Sequence, residues 1–135
     1  MFTSINLSAQ SAIGCEVLKI MDGAPLQFEK QAVPKKLVRI YFKKYKFKLK
    51  IANPNEEWNS TDMVTKKDFN SQLIFAGHSG NKGFVLVKSA GTAMTKNCII
   101  YDLEAGFVQN IGLSWSVKTL DELKVAVSEY LGCGN

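Results

Sequence analysis

The apolar positions of this chain recur in two periods. Between Leu73 and Ser116 they form short β-rich runs, Leu73–Ala76, Phe84–Lys88, Asn97–Leu103 and Phe107–Ser116. The glycine-containing links Gly77–Gly83, Ser89–Lys96 and Glu104–Gly106 separate them. Consecutive strands joined in this way predict an antiparallel meander. Further on the period lengthens: Leu123, Ala126, Val127, Tyr130 and Leu131 make one helical stripe. Thr119 and Glu122 have the spacing of a capping box, and Gly132 stands where such a helix stops. At the other end, Ala9, Ala12, Ile13, Val17 and Ile20 predict a helix over residues 8–21. Ser8 would cap it, and Asp22, Gly23 and Pro25 would end it.

The stretch between these regions is harder to read. Leu26–Val33 has a strand-like alternation that Pro34 would terminate. Residues 53–72 are polar and predict a long loop, with a short helix near Asp62–Asp68. Residues 35–51 fit both periods. Lys44, Lys46, Lys48 and Lys50 alternate with Tyr45, Phe47, Leu49 and Ile51, as on a half-buried strand. Val38, Ile40 and Phe42 alternate in the opposite phase, so a strand needs a turn or bulge at Lys43–Lys44. Leu37, Tyr41, Tyr45 and Leu49 are four apart, which is helical. The aromatic and β-branched content tips the reading to a strand, with its aromatics facing inward. The resulting expectation is an α+β fold in one domain over residues 1–135. It has an antiparallel meander sheet of five or six strands, with an N-terminal and a C-terminal helix packed on one face.

Charge sharpens the interest of that middle tract. Residues 35–50 hold seven Lys, one Arg and no acid, so the remainder of the chain is at −3 against a whole-chain charge of +5. The positive field is therefore local, and local fields select partners. Lys35, Lys36, Arg39, Lys43, Lys44, Lys46, Lys48 and Lys50 are the candidate partner- or anion-binding residues. An anion-facing surface for phosphates is one use of them; keeping a sheet edge soluble and unpaired is another. Aromatics that face away from the lysines would weaken base stacking.

The remaining chemistry is sparse. Cys15, Cys98 and Cys133 are widely spaced and His78 is the single histidine, which does not make a structural zinc site. Scattered free thiols suggest a reducing, cytoplasmic setting. No apolar run is long enough to span a membrane, so no integral membrane association is expected. The segment Gly77–Gly83 is neither a P-loop nor a nucleophile elbow; turn chemistry reads it as a glycine-rich hairpin. His78 joins the candidate contacts, but no second group is evident to make it an acid or base. Glu56 and Glu57 read as solvated carboxylates pairing loosely with nearby lysines. Trp115 alternates with Leu113 and Val117 and is expected in the core, whereas Trp58, in a polar loop, is an anchor or a partner contact.

With no nucleophile–base pair and no cofactor signature, the sequence points away from an enzyme. Two function classes remain. The first is a small protein-binding module of inhibitor or immunity type that engages an acidic protein partner. The alternative is a nucleic-acid-binding protein using Lys35–Lys50.

Overall fold

The computed structural model describes residues 12–58, 70–89 and 95–133. Helix α1 occupies residues 12–20, followed by a 3-10 turn at Lys30–Ala32 and helix α2 at Lys35–Tyr45. The strands are β1 (Ile51–Ala52), β2 (Ser71–Ser79), β3 (Lys82–Ser89), β4 (Thr95–Asp102) and β5 (Phe107–Leu113), and helix α3 is Leu120–Leu131. The sheet order is β1-β2-β3-β4-β5. β2 to β5 form the expected antiparallel meander, and the short β1 pairs parallel to β2.

Both faces of the sheet are covered. Phe84, Leu86, Cys98, Ile100 and Ile111 pack with Val17 of α1 and with Leu123 and Val127 of α3. The intervening residues Val85, Val87, Ile99, Tyr101 and Val108 pack with Leu37 and Tyr41 of α2. This is why β3 and β4 read as unbroken apolar runs: successive side chains point to opposite faces, and each face has its own helix layer. The two terminal helices share one face as the sequence predicted, and the capping box is present. Thr119 Oγ1 accepts Glu122 N–H at 3.2 Å, while Glu122 Oε1 accepts the N–H groups of Lys118 and Thr119 at 2.8 and 3.0 Å. Gly132 ends α3 in the left-handed conformation, at φ 70°.

The glycine-rich segment is a tight hairpin. Ser79 pairs with Lys82, leaving Gly80 and Asn81 as a two-residue turn, with Gly80 at φ 63°. Its other glycines have a packing reason. Gly77 lies opposite Phe84 and Gly83 opposite Tyr101, and each ring occupies the space that a Cβ on the glycine would need.

Several expectations are corrected. The basic tract is a helix through Tyr45; the four-residue spacing of Leu37, Tyr41 and Tyr45, which all turn toward the sheet, overrides the strand propensity of its side chains. The alternation survives only beyond the helix, where Leu49 and Ile51 are buried and Lys48 and Lys50 are not. Leu26–Val33 is not a strand. Only Gln27 pairs, as an isolated bridge to Ala76, and Lys30 N–H is captured by Asn53 Oδ1 at 2.6 Å. Trp115 is 46% exposed rather than core, because the chain leaves the sheet at Leu113 and turns toward α3.

The cysteines are not three free thiols. Cys15 in α1 and Cys133 just after α3 form a disulfide across a sequence separation of 118, with Cα atoms 5.7 Å apart; Cys98 is free and buried. The expectation failed because α1 and α3 lie side by side, and wide sequence spacing does not report that proximity. The predicted cap at Ser8 and the short helix near Asp62–Asp68 lie outside the described residues.

Candidate functional site

Helix α2 sorts its residues by angle. Leu37 and Tyr41 are buried, and Val38, Ile40 and Tyr45 are half-buried against the sheet. At 100° per residue, Lys35, Arg39, Phe42, Lys43 and Lys46 then fall on the opposite side, with Lys36 flanking them. All of these are exposed. Val38, Arg39, Phe42, Lys43, Lys46 and Lys48 line one open groove of about 560 Å³. Phe42 is 51% exposed within it, so an aromatic does stand among the cations, contrary to the inward-facing expectation; Phe47, outside the groove lining, is 47% exposed.

The chain's route places these groups. Lys46 closes α2 in the left-handed conformation at φ 58°, and its N–H returns to Phe42 O at 2.8 Å. The segment that follows is stapled by Asn70, which is buried. Asn70 Nδ2 donates to Lys48 O at 2.8 Å, Asn70 Oδ1 accepts Lys50 N–H at 3.1 Å, and Asn70 N–H donates to Lys50 O at 2.9 Å. Sequence reading left Asn70 among the polar loop residues; only its partners reveal it as the anchor of the Lys48–Lys50 backbone.

Lys44 goes the other way. Its Nζ donates to Val108 O on β5 at 2.7 Å and sits 5.3 Å from the Tyr45 ring centroid. Tyr45 Oη accepts Asn110 N–H at 2.9 Å, and Tyr41 Oη accepts Asn110 Nδ2 at 2.6 Å. β5 is an edge strand; Lys44 and Tyr45 occupy main-chain groups on its open side, and Tyr41 holds the Asn110 side chain. Lys44 and Tyr45 of the tract therefore cover part of the β5 edge, not an edge of their own. The rest of its cations take no part in these contacts. Among the described residues, no carboxylate forms an ion pair with any cation of Lys35–Lys50.

The electrostatics of α2 are one-sided. It begins after Pro34 with no side-chain cap and no acid in its first turn. Lys35 and Lys36 thus face the positive end of the helix dipole, a placement unfavourable by a few tenths to about 1 kcal/mol per charge. Glu56 does not neutralise the tract. It pairs with Lys30 at 3.1 Å and accepts Asn53 N–H at 2.8 Å; the Asn53 and Lys30 contacts hold its carboxyl below the usual range.

The other candidates stand apart from the groove. His78 is exposed at the end of β2 and shares a separate cleft of about 520 Å³ with Gln27, Glu29, Gln31, Ala32, Pro34 and Gly80. Trp58 is half-buried and does not line the α2 groove. Lys96, which sequence reading passed over, is buried on β4. Its Nζ donates to Val117 O at 2.6 Å and Trp115 O at 3.1 Å and lies 5.0 Å from the Trp115 ring. Burial, with Lys118 and Lys88 nearby, lowers its pKa. Those carbonyl contacts make Lys96 the tie between β4 and the turn into α3.

Among the described residues, no group of three or more His, Cys, Asp or Glu side chains could hold a metal ion, and no helix is long and apolar enough to cross a membrane. Comparison of the chain with protein-family models, with curated proteins and with solved structures finds no match to any of them.

Proposed function

We propose that this protein is a non-enzymatic module that binds nucleic acid through its phosphates, on the outer face of α2. One observation carries the reading: Lys35, Lys36, Arg39, Lys43, Lys46 and Lys48 are all exposed and have no carboxylate partner among the described residues. Lysines held in water at successive helix turns suit a polyanion, because each phosphate they neutralise releases counterions. The cations at the wrong end of the α2 dipole support the same view, since local rules are broken at functional sites more often than elsewhere.

A second reading keeps the protein partner. Val38 and Phe42 form an apolar centre ringed by cations, the layout of a hot spot with a polar rim. An inhibitor- or immunity-type module would use it against an acidic protein surface. Protein interfaces are depleted of lysine, however, and this one would be lysine-rich, which puts nucleic acid first. The disulfide suits an oxidising compartment, and we adopt that as the working location in place of the cytoplasm.

The test is a salt titration of binding to a labelled oligonucleotide. For single strands the logarithm of affinity should fall with the logarithm of salt at about 0.7 per phosphate contacted. Lys43→Gln and Lys46→Gln together should flatten that slope by about 1.4 on the same scale. No retention at low salt would end the nucleic-acid reading. Stoichiometric binding to an acidic protein, lost on Phe42→Asp, would replace it with the second.

A further inference from the structure

We infer that the nucleic acid held on α2 is single-stranded, and that one of its bases stacks on Phe42. The inference rests on the nucleic-acid reading above and adds the ligand's form. Phe42 lies in the groove with Arg39, Lys43 and Lys46, which are its i−3, i+1 and i+4 neighbours, and Val38, at i−4, is the other apolar lining residue. Phe42 is 51% exposed although Tyr41, one residue earlier, is buried. Leaving a phenylalanine half in water forgoes part of the stabilisation that its full burial would contribute. Phosphate neutralisation by lysines alone gives no use for a ring in this position.

A base has a π-face that such a ring can cover, and the phosphates on either side of that base then fall beside the cations one turn along the helix. This pairing of a cationic track with an aromatic platform is how single strands are bound without sequence preference. A duplex hides its base faces inside the stack, so it offers the cations its phosphates but gives Phe42 nothing to stack on. Sulfated polysaccharides have charge and no aromatic base. An anionic membrane would need more apolar surface, and the apolar stripe of α2 is already buried against the sheet. Phe42 is therefore the group that should separate single strands from every other polyanion.

Anisotropy titrations at fixed salt would use a labelled single-stranded oligonucleotide, the same sequence as a duplex, and heparin. Vesicles of phosphatidylserine and phosphatidylcholine complete the set in a sedimentation assay. Phe42→Ala should weaken single-strand binding by about 5- to 150-fold, the range set by base–aromatic stacking. Phe42→Trp should restore it. The slope against salt should stay unchanged in both variants, and affinity for duplex and heparin should not move. Thermal melts would confirm folding, and Phe42→Leu, which keeps the apolar bulk, serves if the alanine variant unfolds. Equal affinity for single strand and duplex, or an unaffected Phe42→Ala variant, would each overturn this inference while leaving the phosphate contacts standing. Tighter binding to vesicles than to the oligonucleotide, or no binding to either nucleic acid, would overturn the parent reading instead.

Discussion

The hydroxyl of Tyr45 accepts the main-chain N–H of Asn110 at 2.9 Å, across 65 residues of sequence. Two residues away on the same strand, Lys44 Nζ caps Val108 O. A helix side chain thus stands where a neighbouring strand would otherwise dock. Tyr45→Phe should cost about 0.5–1.5 kcal/mol in urea denaturation, the net worth of one hydrogen bond. Combined with Lys44→Met it should also open β5 to pairing, seen as concentration-dependent association in sedimentation velocity. A double variant as stable and as monodisperse as the parent would show that the edge is protected by something else.

The disulfide should account for a large share of stability. Closing a loop of this length contributes about 5 kcal/mol in the chain-entropy picture, and loss of a native disulfide in a small domain costs about 2–5 kcal/mol. Cys15→Ser with Cys133→Ser should lower the urea midpoint accordingly. Thiol titration should find no fast-reacting thiol in the native protein, since burial pushes the Cys98 thiol up to about 12. Denaturation without reductant should release one thiol, and denaturation with reductant all three. Two further thiols in the native, unreduced protein would refute the pairing.

Stability should fall at both ends of the pH scale, for different reasons. The N–H groups of Lys118 and Thr119 hold the Glu122 carboxyl below its ordinary 4.5. Its contribution is therefore present above pH 4.5 and lost as pH falls through the lowered value. Burial raises Tyr101 from 10.0 to about 12 and Cys98 from 9.0 to about 12. Their contributions are complete below pH 9 and are lost between there and about 12, where the unfolded chain ionises first. Chemical denaturation across pH checks both windows, and Glu122→Gln should flatten the acid limb. An acid limb unchanged in that variant would contradict the assignment.

Two glycines should respond oppositely to alanine. A Cβ at Gly83 would meet the Tyr101 Oη and Cζ atoms and lie 2.8 Å from Gly77 O, and Tyr101 is itself buried. Gly83→Ala should destabilise by about 3 kcal/mol or more, at the upper end of overpacking costs. Gly112, exposed near the end of β5, has nothing within 4 Å of its Cβ position. Gly112→Ala should stabilise by about 0.4–1 kcal/mol through the unfolded state. Equal effects at the two positions would rule out the ring-over-glycine packing.

Much of the fold is legible in the sequence because its signals are local. Strand runs, a hairpin within Gly77–Gly83 and the Thr119–Glu122 cap each depend on residues a few positions apart. The middle tract is not legible in that way. Leu37, Tyr41 and Tyr45 carry the helical period, but the β-prone side chains around them argue for a strand, and only the sheet face they cover settles the conflict. That one choice also decides the candidate site. On a strand Phe42 faces the core, whereas on a helix it stands one step past Tyr41, out among the cations. The disulfide and the Asn70 staple were invisible because each joins segments that sequence distance keeps apart.

The bond between Cys15 and Cys133 also makes the described chain nearly circular. A single backbone cut between those residues, such as one in the Gly80–Asn81 turn, leaves both pieces covalently joined. Under non-reducing electrophoresis the nicked protein would still run as one species, and the pieces could re-pair as an intramolecular reaction. The protein therefore resists dissociation after cleavage by a route independent of how firmly any one element is held.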